Sequence, residues 1–447
     1  MSGQHSVEKI GGTSMAATAV LFDNVLIAGR KGADLYNRVF VVSAYAGMTD
    51  LLLEHKKSGK PGVYARFVAD DGADGWRDAI ETVRGAMHAR NADMFARAES
   101  LAEANAFVDA RIDAVAACLD DLARLRSHGR FCVKEQLITV RELLAGLGEA
   151  HSAHSTALLL RDRGVNACFV DLTLWDQQDM RGLDERIEQA FAPIAVLTQA
   201  REAIIHKEFH LSSADPKLVG TDKARKIGRT NYDVADQLAN LGMEAIHPGA
   251  GRGLRQTDIP LRVRNTFDRE DGGTLICGDY VSDTPRVEIV TGIRTAQALQ
   301  FFEQDMVGVK GYDAAILEVL TRHGIWIVSK ASNANTITHY LSADAVKVKQ
   351  VIGDLQDRYP DASISAHPVA IVSVIGSDIS RPGLMPDALK ALAQADIDVI
   401  AMQHQIRNVD VQFVVDVRQY DAAVAALHRA LVEDNDEPAA AEGRRAA

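Results

Sequence analysis

Residues 6–47 read SVEKIGGTSMAATAVLFDNVLIAGRKGADLYNRVFVVSAYAG, and the order of elements in them decides the fold class. Ser6 to Ile10 is a short strand candidate. GGTS follows it, and AATAVLFDNVLIAG then has helical spacing. Arg38 to Gly47 is a continuous apolar run ending in small residues, the pattern of a central parallel strand buried on both faces. Thr49 to Leu53 opens the next helix. Strand, helix and apolar strand in this order mark a doubly wound α/β sheet. The glycine pair Gly11–Gly12 lies where the first strand turns into the first helix. Glycines let backbone approach a ligand closely, and successive N–H groups form an anion nest. Lys9 beside them could neutralise a phosphoryl group. The same residues also fit a tight strand-to-helix turn with a surface lysine, and the motif alone leaves both readings open.

Beyond this opening the composition changes. From Tyr64 to about Leu144, alanine, arginine and acidic residues dominate, with apolar positions at helical spacing, which predicts a helical insertion of two or more antiparallel helices. GVNACFVDL (164–172) reads as a strand. REAIIHKEF and IPLRVRNTF are further strand candidates, separated by the helical stretch NYDVADQLANLGM, for which Thr230 or Asn231 is a good N-cap. After Gly278, VEIVTGI, a helix pattern, VGVKG, a second helix pattern and IWIVSKA make one short α+β unit. VAIVSVIG, DALKALAQADIDVIAMQHQ, VDVQFVVDV and YDAAVAALHRAL make another. The shared strand–helix–strand–strand–helix logic points to an internal duplication. The polar tail EDNDEPAAAEGRRAA has no apolar period and reads as disordered.

A chain of 447 residues is long enough for two or three domains, and 47% apolar residues support a large core. The formal charge of −12, from 61 acidic against 49 basic residues, argues against a nucleic-acid binder, which needs a basic face. The four cysteines show no metal spacing and read as reduced thiols. No signal peptide or membrane-spanning run is visible, so the expectation is a soluble, cytoplasmic protein with no membrane partner.

Several ordered segments together resemble the aspartate kinases. KIGGTSM is similar to the K-F-G-G-T-S that opens that family, and VFVVSAYAGMTDLLLE to its next strand and its S-A-x-x-G-x-T loop. LGEAHSAHS resembles its G-E-x-x-S, GVNACFVDL the strand after it, and SSADPKLV its T-A-D-P-R-x-V. NYDVADQLANLGMEAIHP resembles its S-Y-x-E-A-x-E-L helix, and DIPLRVRNTFDREDGGTLI is similar to the end of its kinase domain. The two C-terminal units resemble its paired ACT regulatory domains. The helical insertion and HKEFHLSSADP look most like the aspartokinases associated with ectoine synthesis.

The resemblance implies an α/β fold: an amino-acid-kinase-like parallel-sheet domain (1–282, insertion about 64–144), two ACT-like domains (283–360 and 361–433) and the tail (434–447). It implies phosphoryl transfer from ATP, with Mg²⁺ in the substrate complex and no tightly bound cofactor, to the side-chain carboxylate of L-aspartate. On the matching positions, Lys9 is the catalytic cation. Gly11, Gly12, Ser14, Lys207 and Lys217 fall at the phosphates of ATP, and Ser43, Thr49 and Glu149 at the substrate. No residue is assigned to a metal. A homodimer and an amino-acid effector at the ACT domains are implied as partners. Glu149 also fits a solvated carboxylate at a helix start.

The sequence departs from the family in one large way. Between VDLTLW and EAIIHKEF the family carries a strand, G-R-G-G-S-D and a helix, which supply an arginine for the substrate carboxylate, an N–H nest and an aspartate. Here a single helical pattern intervenes, without a glycine-rich loop, and an internal deletion is expected near Ala192–Pro193–Ile194. KIGRTNYD, with Gly228, Arg229 and Asp233, lies too far along the chain to replace it. Three smaller departures concern the nucleotide. A Thr-Asp pair falls on His206 and Lys207, an arginine on Lys217, which loses the planar fork, and a lysine on Glu244. HKEFH is not a zinc motif, since HExxH needs a helix and a glutamate in second place. His151 and His154 share a helix face and read as packed or solvated histidines rather than a metal pair. Two other readings stay open: a catalytically silent ACT-domain binding protein descended from an aspartate kinase, and a different carboxylate or carbamate kinase, against which the ACT pair and the GGTLI ending count.

Overall fold

The structure, a computed structural model, describes residues 4–55, 58–69, 75–128, 134–173, 192–241 and 248–433. The tail (434–447), Glu244 and most of the segment before the expected deletion lie outside them. Packing divides the chain into two compact units: Met1–His210 with Gly249–Leu275, and Leu211–Pro248 with Ile276–Ala447.

The first unit is built on parallel strands. β1 (Ser6–Ile10) lies between β2 (Arg38–Val42) and β3 (Glu202–Lys207), and β3 pairs on its far side with β5 (Leu261–Asn265). The short helices α1 (Gly12–Ala16) and α2 (Thr18–Leu21) follow β1. α3 (Met48–Leu52) follows β2. Then come α4 (Val63–Ala69), α5 (Gly75–Met94), α6 (Ala98–Ser127) and α7 (Lys134–Asp162). α5 buries Trp76, Ile80, Val83, Met87 and Asn91, and α6 buries Ala104, Val108, Ile112, Val115 and Leu119. Spacings of three and four put each set on one helix stripe, and the stripes close against each other. α7 continues that core onto the loop after β2, where Leu144 and Leu147 meet Ala44, Met48 and Leu52. A short helix α8 (192–197) leads into β3.

Two readings from the sequence change here. RVFVV, which reads as a central strand, forms β2 at the end of the sheet order, with every residue half-buried. GVNACFVDL, which reads as a strand, runs through 165–172 with no regular secondary structure. The physical cause is common to both, because a strand needs a ladder partner. Among the described residues no strand pairs with the outer edge of β2, and residues 165–172 form no ladder, although Asn166 N–H reaches Tyr36 Oη (3.5 Å) and Asp171 pairs with Arg111.

In the second unit, α9 (Pro216–Val219), β4 (Arg229–Asn231) and α10 (Tyr232–Asn240) precede the duplicated region. The first unit resumes with α11 (Pro248–Gln256) and β5, and β6 (Thr274–Cys277) carries the chain out of it. β7 (Ile289–Phe302), α12 (Tyr312–Arg322), β8 (Trp326–Ser332), β9 (Thr336–Ser342) and α13 (Ala345–Arg358) form one repeat. β10 (Ser363–Ile375), α14 (Leu384–Gln394), β11 (Ala401–His404), β12 (Asp410–Val415) and α15 (Tyr420–His428) form the other. Their strands join in one antiparallel sheet, β11-β12-β10-β7-β9-β8. Residues 294–302, which carry a helix pattern, are the second half of β7. Pairing with both β10 and β9 buries Leu299 and Phe301 and overrides the local pattern. Gly292 lets β7 and β10 approach at the register shift, since a Cβ there would fall 1.9 Å from Ile371 O.

α10 is capped by Asn231, whose side chain accepts a hydrogen bond from Val234 N (3.0 Å). Its Val234 and Leu238, with Leu211 and Leu241, pack against Ile371, Ile375 and Val414 of the antiparallel sheet. By packing, Leu211–Pro248 therefore belongs with the C-terminal residues. No helix among the described residues is long and apolar enough to cross a membrane.

A fragment ending after Gly278 keeps α10 but loses the sheet that covers it. Such a fragment is expected to aggregate or to bind hydrophobic dyes. A soluble 1–278 fragment that unfolds cooperatively would contradict this packing.

Candidate functional site

In a parallel sheet all strands end on the same side, and ligands bind beyond their carboxyl ends. β1 ends at Ile10, opposite Val42 on β2 and His206 on β3, and Lys207 is opposite Asn265 on β5. Gly11 donates its N–H to His206 O (3.4 Å), and Ser43 donates to Ile10 O (3.0 Å). Gly12 must be glycine, because a Cβ would stand 2.7 Å from Ala44 O. The β1 turn and the loop after β2 are thus in backbone contact. Ser14, expected at a phosphate, is fully buried, with its hydroxyl 2.8 Å from Thr266 Oγ1. Thr266 in turn donates its N–H to Lys207 O (2.8 Å).

Beneath this edge lies a buried charge. Glu8 is 1% exposed and accepts two hydrogen bonds from Arg38, Nε at 2.7 Å and Nη2 at 2.9 Å. His206 Nε2 lies 2.9 Å from Glu8 Oε2, the oxygen that Arg38 Nη2 also meets, and Ser6 Oγ donates to Oε1 at 2.7 Å. Arg38 also caps Val25 O (2.8 Å) and Leu26 O (2.6 Å). Burial alone would raise the Glu8 carboxyl, but the hydrogen bonds from His206 and Arg38 outweigh it and hold it far below the usual range. Burial lowers His206, so the ring is neutral and donates Nε2–H to Glu8.

The helical insertion reaches this site. Arg90 of α5 donates to Met15 O (3.1 Å) and Ala16 O (2.6 Å), contacts Thr18, and stacks 4.6 Å over the Tyr45 ring. It ties off the carbonyl end of α1. α7 brings Glu149 close to the loop after β2: Ser152 donates to Ser43 O (2.9 Å), and a Cβ on Gly148 would stand 2.8 Å from Ala44 Cβ. Thr49 lies in the first turn of α3, after Gly47 at φ 82°. Glu149 faces a cavity of about 460 Å³, whose described walls include Val39, Val41, Ala153, Phe169 and Asp171. This cavity runs along the open edge of β2.

The structure therefore brings Lys9, Gly11, Gly12, Ser14, Ser43 and Lys207 to one edge, with Thr49 and Glu149 on helices packed beside it. Lys217 and Arg229, which pairs with Asp279, are exposed in the second unit, where the half-buried Asp233 pairs with Arg407. His151 is buried and bonded to Asn91 (2.8 Å), and His154 stacks 4.1 Å from Phe107, so both are packing residues. His210, Asp268 and Asp271 have ligand atoms within 4.8 Å of one another and could hold a divalent cation beyond β3 and β5. Sequence reading missed Glu8, Arg38, His206 as a carboxylate partner, and Arg90. The signal was present for the first two: charged residues inside strands whose neighbours are apolar are paired when buried.

Comparison with known proteins places these features. A family model described as an ACT domain matches residues 372–431. The chain is 47% identical to the aspartate kinase Ask_Ect of Stutzerimonas stutzeri, over 96% of this chain and 98% of that protein. That match runs over 464 positions, more than the 447 residues present, so the relative carries residues this chain lacks. An aspartokinase of Geobacillus stearothermophilus is 30% identical over 49% of this chain and 53% of its own length. Among solved structures, E. coli aspartokinase III in complex with aspartate and ADP has the same fold, with a TM-score of 0.68 at 20% identity, covering 96% of this chain and all of that one.

Burial pushes His151 down to about 3, and burial also lowers His154 and His206. Each is neutral when folded, while the unfolded chain takes up a proton below about pH 6.5. Stability is therefore full above that pH and falls as the pH drops below it, by up to about 1.4 kcal/mol per pH unit per histidine. Denaturant titrations between pH 7.5 and 5 should show this loss, and His151→Gln should flatten it. An unchanged slope in the variant would contradict the neutral, buried assignment.

Proposed function

The chain belongs to the aspartate kinase family, and from that membership we propose that it transfers the γ-phosphoryl group of Mg²⁺-bound ATP to the side-chain carboxylate of L-aspartate. The product is 4-phospho-L-aspartate, the first intermediate of an aspartate-derived, ectoine-type biosynthesis. The observation that carries this reading is the 47% identity sustained over nearly the whole of both chains.

The chemistry asks little of a base, because the acceptor carboxylate is already ionised at pH 7. A carboxylate oxygen forms the new P–O bond while the bond to the β-phosphate oxygen breaks and ADP leaves. The protein must align two anions and stabilise the spreading charge. Lys9 and Lys207 supply cations at the strand ends. Gly11 and Gly12 admit the phosphates, and Ser14 holds their turn through Thr266. Ser43, Thr49 and Glu149 receive aspartate, with Glu149 facing its ammonium group. Mg²⁺ is held mostly by phosphates and water. We further propose kinase and ACT modules divided near 282 and 360, an amino-acid effector at the ACT modules, and a homodimer in the cytoplasm. Ile400, Met402 and Ile406, exposed at the β11 edge, support pairing there.

A second reading has three observations in its favour. The edge of β2 with which no described residue pairs, the segment 165–172 without regular secondary structure and the 464-position match fit a chain that lacks the strand and loop that clamp aspartate. On that reading the protein binds amino acids and turns over slowly or not at all.

One assay separates the two: aspartyl phosphate trapped with hydroxylamine. Turnover of roughly 1 s⁻¹ or faster establishes the kinase. Lys9→Met should then lower it on the order of 10²-fold or more, and wild-type turnover in that variant would remove Lys9 from the mechanism. Absent turnover, with activity and thermal stability both restored by inserting the family's strand and loop between Pro193 and Ile194, establishes the second reading.

A further inference from the structure

We infer that Arg38, Glu8 and His206 form a positioning device for the phosphate site, acting from the opposite face of the sheet. The inference rests on the reading of Lys9 and Lys207 as phosphate-binding cations.

The register carries the argument. On β1, Glu8 and Ile10 face one side and Lys9 the other, because side chains alternate along a strand. Lys9 is opposite Ile205 on β3, so Lys207, two residues on, shares its face. The two cations are diagonal neighbours on one face of the sheet. Glu8 is opposite Phe40 on β2 and Ile204 on β3, so Arg38, two residues back, and His206, two residues on, share the face of Glu8. The carboxylate thus reaches one diagonal neighbour on each flanking strand. It ties three parallel strands together at a single point.

That tie fixes register where register decides the chemistry. A slip of one residue would turn Lys9 or Lys207 to the other face. The bonding chain also ends at the site itself, since His206 accepts the Gly11 N–H through its carbonyl. His206 and Lys207 are adjacent, as are Glu8 and Lys9, so each cation is next in sequence to a member of the tie. Removing one partner leaves the buried Glu8 carboxylate less compensated in a dry environment, a cost that a shift of the strands can relieve. None of the three need touch substrate, and they are positioning residues rather than catalytic ones.

Binding of the β,γ-imido analogue of ATP with Mg²⁺, measured by calorimetry on the full-length chain, tests this without needing turnover. His206→Leu removes the donor that β3 supplies to Glu8 and should weaken binding roughly 30-fold. His206→Gln, which keeps an N–H of similar reach, should stay within about 3-fold of wild type. A purely structural role would lower the melting temperature of both variants while leaving the affinity of the folded protein unchanged, and that result overturns the inference. If His206→Leu fails to fold, His206→Asn takes its place, with an amide too short to reach Glu8 and the same expected loss. Wild-type affinity in the His206 variants together with a large loss in Lys9→Met overturns the positioning role and leaves the phosphate site standing. Absence of binding in the wild type overturns both.

Discussion

A carboxylate buried in the middle of a parallel sheet is the constraint on which the first unit depends. Glu8 cannot stay ionised there without partners, and it has them from both neighbouring strands. The arrangement can be strongly destabilising when broken and still contribute little net stability when intact. Its value lies in what it forbids. Strands β1, β2 and β3 cannot shift against one another, so their ends meet in a fixed pattern. The glycine turn, the loop after β2 and the two lysines are set by that pattern rather than by their own sequence.

The remaining elements of the unit build outward from that edge. The insertion, α4 to α6 with the first part of α7, has its own core, but it also returns Arg90 to the end of α1 and leads into the part of α7 that packs on the loop after β2. Removing it would uncover the site as well as shorten the chain. The open flank of β2 is the counterpart of this support: on that side the described sheet ends early, and the cavity beside Glu149 lies along the edge. The second unit follows a different logic. Two repeats share one antiparallel sheet, and α10, which precedes them, is covered by it.

Much of this was legible in the sequence where the signal is local. The glycine pair after β1, the apolar run of β2, the helical periodicity of the insertion and the repeated order of the C-terminal elements all appear in short windows. The family resemblance assigned Glu149 and Thr49 to the substrate, where spacing alone would have left them as surface polar residues, and the structure carries both on helices packed beside the loop after β2. Contacts across long stretches of chain were not legible. Glu8 meets His206 across 198 positions, and Ser14 meets Thr266 across 252. No window contains either pair. The errors have a similar origin. Residues 164–172 have strand composition, but composition supplies no ladder partner. Residues 294–302 have helical spacing, but β9 and β10 offer pairing on both edges.

On the proposed function, Lys9 and Lys207, on one face of the sheet, flank the phosphates of a bound nucleotide. An acyl-phosphate derivative of ATP transfers its acyl group to lysine amines beside the phosphates, and peptide mass spectrometry reads which ones. Acylation of Lys9 and Lys207, suppressed by excess Mg²⁺-ATP, is the expected result. Suppressible labelling confined to other lysines, with these two untouched, would contradict it.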